Sequence, residues 1–96
     1  MRYKIVFLSF LISLNLFSSQ CEMDLVMVNS GAENALDYEV RKNYKYAIIE
    51  LNEAIIYAKQ AVDDCQSTLK QKDIDKLKER IKSFSERRDY LKKRLR

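Results

Sequence analysis

From Tyr44 to Cys65 the chain reads YKYAIIELNEAIIYAKQAVDDC, and Tyr44, Ala47, Ile48, Leu51, Ala54, Ile55, Ala58, Ala61, Val62 and Cys65 recur at steps of three and four without a miss. A side chain returns to the same side of an α-helix at that spacing, so the set forms one apolar stripe about six turns long. Ile49 and Ile56, seven apart, widen the stripe. That width predicts a helix that touches neighbours on more than one side and lies in the middle of a bundle.

Composition extends the helical reading to the whole chain. The 96 residues hold one glycine and no proline, with 33% charged and 47% hydrophobic residues. β-Sandwiches and barrels need many tight turns, so a chain this poor in turn residues is expected to be all-α, a single small domain of long helices. Histidine is absent, which removes the commonest general base and metal ligand and with them hydrolase triads and most zinc sites. There is no glycine-rich phosphate loop and no metal-ligand spacing. The carboxylate pairs Asp63/Asp64 and Glu50/Glu53 need no more explanation than solvation and capping, and three short helices offer little of the concave, dry surroundings a catalytic pair requires. Tyr38, Tyr44, Tyr46, Tyr57 and Tyr90 fall at helix spacing or near the turn and read as packing residues. We therefore expect no enzyme, no cofactor and no small-molecule substrate.

Residues 1–20 place Arg2 and Lys4 before a run from Ile5 to Phe17 that is apolar except for Ser9, Ser13 and Asn15, followed by Ser18, Ser19 and Gln20. This is the charged, apolar and small-polar order of a secretory signal peptide. About 13 helical residues would span roughly 20 Å, short of the ~30 Å hydrocarbon core, which disfavours a permanent span. Export to the periplasm or the outside is the expectation; an uncleaved anchor is the alternative, since no Ala-x-Ala cleavage site is present. The segment from Leu16 to Cys21 also resembles the lipobox of bacterial lipoproteins, which implies a lipid anchor on Cys21. Gln20 stands where that family has a small residue and Ser18 where it has leucine.

Cys65 suggests another role for Cys21. If residues 22 to about 40 form one helix and 44 to 65 the next, each cysteine lies 22 positions from Asn43 at the turn. Antiparallel helices rise equally per residue, so both thiols arrive together at the open end of the hairpin. An exported protein would oxidise them, and closing a loop of about 45 residues is worth roughly 4 kcal/mol. The expected domain is thus a disulfide-closed hairpin over residues 21–66. With no Cys-x-x-Cys spacing, a redox-active pair is not expected.

In the first helix Leu25, Val28, Ala32, Ala35, Leu36 and Val40 keep a helical period, while Gly31 predicts either a kink or a late start capped by Asn29 or Ser30. Ala32 and Ala35 would let the second helix approach closely. Over about residues 31–60, Ala35, Tyr38, Tyr44, Ala47, Leu51 and Ala54 fall at spacings that resemble one tetratricopeptide repeat. That resemblance implies a helical hairpin that binds protein. Gly31 replaces the large residue expected early in the first helix, no proline closes the unit, and Lys78 stands where a second repeat would need a tyrosine.

Residues 67–96 are expected to form a third, basic helix, capped by Asp73 if it starts there or by Ser67 if it starts earlier. Ile74, Leu77, Ile81, Phe84, Leu91 and Leu95 follow a heptad pattern once Arg88 is counted in register, and this seam could pack on the hairpin, take a protein partner or self-associate. Residues 21–69 carry 4 Lys/Arg and 9 Asp/Glu, net −5, against 12 and 5, net +7, for residues 70–96. Arg80, Arg87 and Arg94 recur every seven residues beside the seam, and Glu50, Glu53, Asp63 and Asp64 are the expected internal partners, most of all for Arg80. Lys92, Lys93, Arg94 and Arg96 have few acidic neighbours. The sequence thus leads to an exported three-helix protein acting as a non-enzymatic interaction or structural module. The alternative is a binder of membrane lipid, cell-wall polymer or nucleic acid through Arg80, Arg87, Lys92, Lys93, Arg94 and Arg96.

Overall fold

The computed structural model describes residues 16–95, with side chains from residue 20 onward; most of the expected signal peptide, and Arg96, lie outside them. The fold is all-α. Helix α1 spans Leu16–Val40, α2 Tyr44–Asp64 and α3 Gln71–Arg94, with no strand among the described residues. Helix α2 is the centre, as its stripe requires: α1 and α3 both pack on it, and their backbones do not approach each other.

Gly31 does not start α1. The helix is continuous through it from Leu16 to Val40, and Asn29 and Ser30 are ordinary exposed helical positions. The reason is close packing, because a Cβ at Gly31 would lie 3.2 Å from both the Ala54 Cβ and the Glu50 carbonyl oxygen. The side of α1 that meets α2 is Cys21, Asp24, Val28, Gly31 and Ala35, all buried. Leu36 and Val40, expected in that register, are exposed.

Helix α1 ends through its backbone. Lys42 adopts the left-handed conformation (φ 63°), its N–H donates to the Glu39 carbonyl (2.9 Å), and the Asn43 N–H donates to that of Tyr38 (2.8 Å). This paired closure occupies carbonyls that a helix end would otherwise leave unbonded, here without the glycine usual at such a position. Tyr38 stacks on Tyr46 across the turn, centroids 5.5 Å apart.

Helix α3 starts at Gln71 with Lys70 before it, so neither Ser67 nor Asp73 is its cap. Asp73 sits in the first turn, and Lys92, Lys93 and Arg94 in the last, each where the helix dipole favours its charge. The loop keeps its bonds local, with Thr68 and Leu69 N–H both donating to the Cys65 carbonyl.

Two apolar clusters fill the bundle. At the open end of the hairpin Cys21, Ala61, Cys65, Ile74 and Leu77 are buried together; near the turn Ala35, Ala47, Ile48, Leu51 and Leu91 form the second cluster, with Tyr38, Tyr44 and Phe84 against it. The heptad seam thus faces inward at Ile74, Leu77 and Leu91, while Ile81 and Phe84 are only half-buried and Leu95 is exposed. Arg88, in the same register, donates from Nη1 to Asn52 Oδ1 on α2 at 3.0 Å. Ile49 and Ile56 were expected to meet a neighbour and do not. Both flanking helices fit on the main stripe of α2, which leaves its opposite side uncovered.

Candidate interaction surfaces and the cysteine end

Cys21 and Cys65 lie at disulfide distance, with Cα atoms 5.0 Å apart, as the equal run of the two helices from the turn requires. One turn along α1 is Asp24, only 1% exposed. Gln20 Nε2 donates to its Oδ1 at 3.1 Å, while Oδ2 has no partner among the described residues. Burial, reinforced by the neighbouring Asp64 carboxyl, pushes the Asp24 carboxyl up to about 6; the Gln20 amide opposes this. Apolar periodicity alone misses Asp24. Its three-residue step from Cys21 and four-residue step to Val28 put it on the buried side.

The basic row of α3 is arranged differently from expectation. Arg87 pairs with Glu39 of α1, and no carboxylate among Glu50, Glu53, Asp63 and Asp64 forms an ion pair with the row among the described residues. Glu50 lies against α1, where its carbonyl faces Gly31, and Glu53 is on the exposed side of α2. Instead the row is laced with aromatics. The Arg80 guanidinium lies 5.3 Å from the Phe84 ring centre, that of Arg87 4.7 Å from Tyr90, and that of Arg94 5.6 Å from Tyr44 and 6.0 Å from Tyr90. Such stacking holds the faces of the guanidinium groups and leaves N–H edges available to acceptors. Arg94 Nη2 also reaches Tyr44 Oη at 3.5 Å. Lys92 and Lys93 are exposed, and Tyr90 proves to be a support for arginines rather than a core residue.

Between α1 and α3 runs a groove of about 400 Å³. Leu51 lies at its base, Ala32, Ala35, Leu36 and Phe84 line it, and Glu39 and Arg87 belong to the same lining. A second apolar surface, formed by Met23, Val26 and Met27 beside Glu22, lies on the outer side of α1. Among the described residues no group of three or more His, Cys, Asp and Glu could hold a metal ion, and no helix is long and apolar enough to cross a membrane. Comparison with known proteins returns no match, whether to a family model, a curated protein or a solved structure.

Proposed function

We propose that the chain is an exported small helical protein that acts as a non-enzymatic protein-interaction or structural module. The observation that carries this reading is the groove over Leu51, an open apolar channel with a charged pair in its lining, suited to receive side chains of a protein partner. The resemblance to a single tetratricopeptide hairpin supports protein binding in the same sense.

Export rests on the order of charge, apolar run and small polar residues in 1–20, and on two cysteines held at disulfide distance. In this reading residues 1–20 are removed, residues 21–66 form the bridged hairpin, and 67–96 form the basic helix. A lipid on Cys21 is the alternative, and it excludes the bridge. Self-association through the seam would have to use Ile81, Phe84 and Leu95, because Ile74, Leu77 and Leu91 are spent on the core.

A specific observation favours a second reading. Arg80 and Arg94 are stacked on aromatic rings without a carboxylate partner among the described residues, and with Lys92, Lys93 and Arg96 they suit an anionic surface. Salt separates the two. A photo-crosslinker at position 36, in the protein expressed in its own host, should give a discrete protein adduct that persists as salt is raised from roughly 0.1 to 0.5 M, and a crosslinker at exposed Lys59 should not. No adduct at position 36, with binding to anionic vesicles or nucleic acid that collapses over that salt range, would replace the first reading by the second.

A further inference from the structure

We propose that the α-amino group of Cys21, set free when residues 1–20 are removed, is the counter-ion for the Asp24–Asp64 carboxyl pair. Processing would then complete the electrostatics of the cysteine end. The inference rests on the export reading above and adds a role for the new terminus.

Asp24 follows Cys21 by three residues. That spacing lets a carboxylate in the first turn of a helix reach back to the nitrogen of its first residue. In the unprocessed chain the Cys21 nitrogen is an ordinary amide inside α1, and the side-chain donor at Asp24 is Gln20, which belongs to the segment to be removed. Cleavage between Gln20 and Cys21 deletes that donor and puts an ammonium, with three N–H donors, in its place. The partnerless Oδ2 of Asp24 then has a counter-ion. The bridge to Cys65 would hold that ammonium near the last residues of α2.

The surroundings are anionic or neutral on every side. From α1 comes the neutral Gln20; from α2 come Asp64 and the carbonyl end of the helix, which carries partial negative charge; from α3 come the apolar Ile74 and Leu77 that pack on the cysteines. No cationic side chain bears on Asp24 among the described residues. Two carboxyl groups so placed cannot both ionise without cost, so Asp24 holds its proton to a higher pH than an ordinary aspartate. An ammonium would be the missing cation, and the Asp24 carboxylate would in turn offset the unfavourable position of a positive terminus at the start of α1.

The sign of the pH dependence separates the two states. With Gln20 retained, Asp24 titrates in the fold near 6, above the ordinary 3.8, so stability falls as pH rises between about 4 and about 6; blocking the amine of the processed chain should leave the carboxyl raised and the decline in place. With the free ammonium beside it, the folded carboxyl drops below 3.8; stability then rises as pH climbs toward 4, and stays level through 6.

The test uses the exported protein. Its intact mass should show Cys21 as first residue, and melting temperature followed from about pH 3 to about pH 9 should lack the decline between 4 and 6. Selective acetylation of the α-amine, feasible because it is less basic than lysine by about two units, should restore the decline. In Asp24→Asn the acetylation should have little effect. A different first residue overturns the cleavage position and the pairing together. A terminus at Cys21 whose acetylation leaves the profile unchanged overturns the pairing alone, and a melting temperature that falls on adding a chelator assigns the carboxyls to a metal ion instead.

Discussion

The two sides of α2 are built by different means. Toward α1 the contact is made mostly of small residues: beside Val28, Gly31 and Ala35 are buried, and Gly31 meets Ala54 on a helix whose Ala47, Ala58 and Ala61 are also buried. Toward α3 the contact is made by larger side chains, Ile74, Leu77 and Leu91, with the Arg88–Asn52 hydrogen bond set into it. Small residues let backbones come close and fix one register through many short contacts, but they remove little apolar area from water. Large ones bury more area and tolerate adjustment. The α1 side accordingly has closure at both ends, by the cysteine pair and by the hydrogen-bonded turn at Lys42, whereas α3 is joined only through residues 65–70.

If that contrast is right, the largest loss follows reduction of the bridge between Cys21 and Cys65. Their sequence separation of 44 gives a chain-entropy contribution of roughly 4 kcal/mol. Reducing agent should lower the melting temperature of the oxidised protein by well over 10 °C, since about 1 kcal/mol corresponds to roughly 4–8 °C in a domain this small. A shift of only a degree or two would mean the alanine-lined contact holds α1 unaided, and the contrast would fail. Full thiol labelling of the native, unreduced protein would show that no bridge forms.

On the other side, Leu91→Ala should cost about 3 kcal/mol, because this side chain is fully buried in the cluster with Ile48 and Leu51. Phe84→Ala should cost less, about 1–2 kcal/mol, because Phe84 is half-buried beside the groove. Chemical denaturation of both variants checks the order. Equal losses would mean that the groove closes over Phe84 in solution.

Much of this arrangement is legible in the sequence, and the parts that are not have physical causes. The stripe of α2 and the equal distances of the cysteines from the turn convert directly into helix geometry, so the all-α hairpin and the cysteine contact follow from them. Gly31 misleads because helix propensity describes an isolated helix, where glycine is a weak point; against Ala54 the missing Cβ is what allows the contact. Asp24 is invisible to a search for apolar periodicity, although it is more buried than Leu25 beside it. Arg87 finds Glu39, nearly fifty residues away, because α1 and α3 converge on the same stripe of α2, and no local charge pattern records that.

Gly31→Val sharpens the α1 side further. Its Cβ would begin 3.2 Å from the Ala54 Cβ and the Glu50 carbonyl, so the backbones must separate or the side chain must strain. We expect a loss of about 2 kcal/mol despite the better helix propensity of valine. The double variant Gly31→Ala/Ala54→Gly moves the methyl group across the interface and should recover most of what Gly31→Ala alone loses. A Gly31→Val protein as stable as the parent would show that α1 is not held closely at this point.

The smallest effect belongs to the edge of the α3 side. Arg87→Gln removes the ion pair with Glu39, but the Arg87 side chain is half exposed and its worth is correspondingly low, at most about 1 kcal/mol. The same change made together in Arg80 and Arg94 should cost no more per residue, since their guanidinium groups lie over surface rings. What distinguishes Arg87 is its link between α1 and α3, the two helices whose backbones do not meet. Hydrogen exchange of the groove-facing turns around Leu36 and Phe84 should therefore quicken in Arg87→Gln and stay at the parent rate in Arg80→Gln. Identical exchange in the two variants would reduce the Glu39 pair to an ordinary surface contact, and the two sides of α2 would then be mechanically independent.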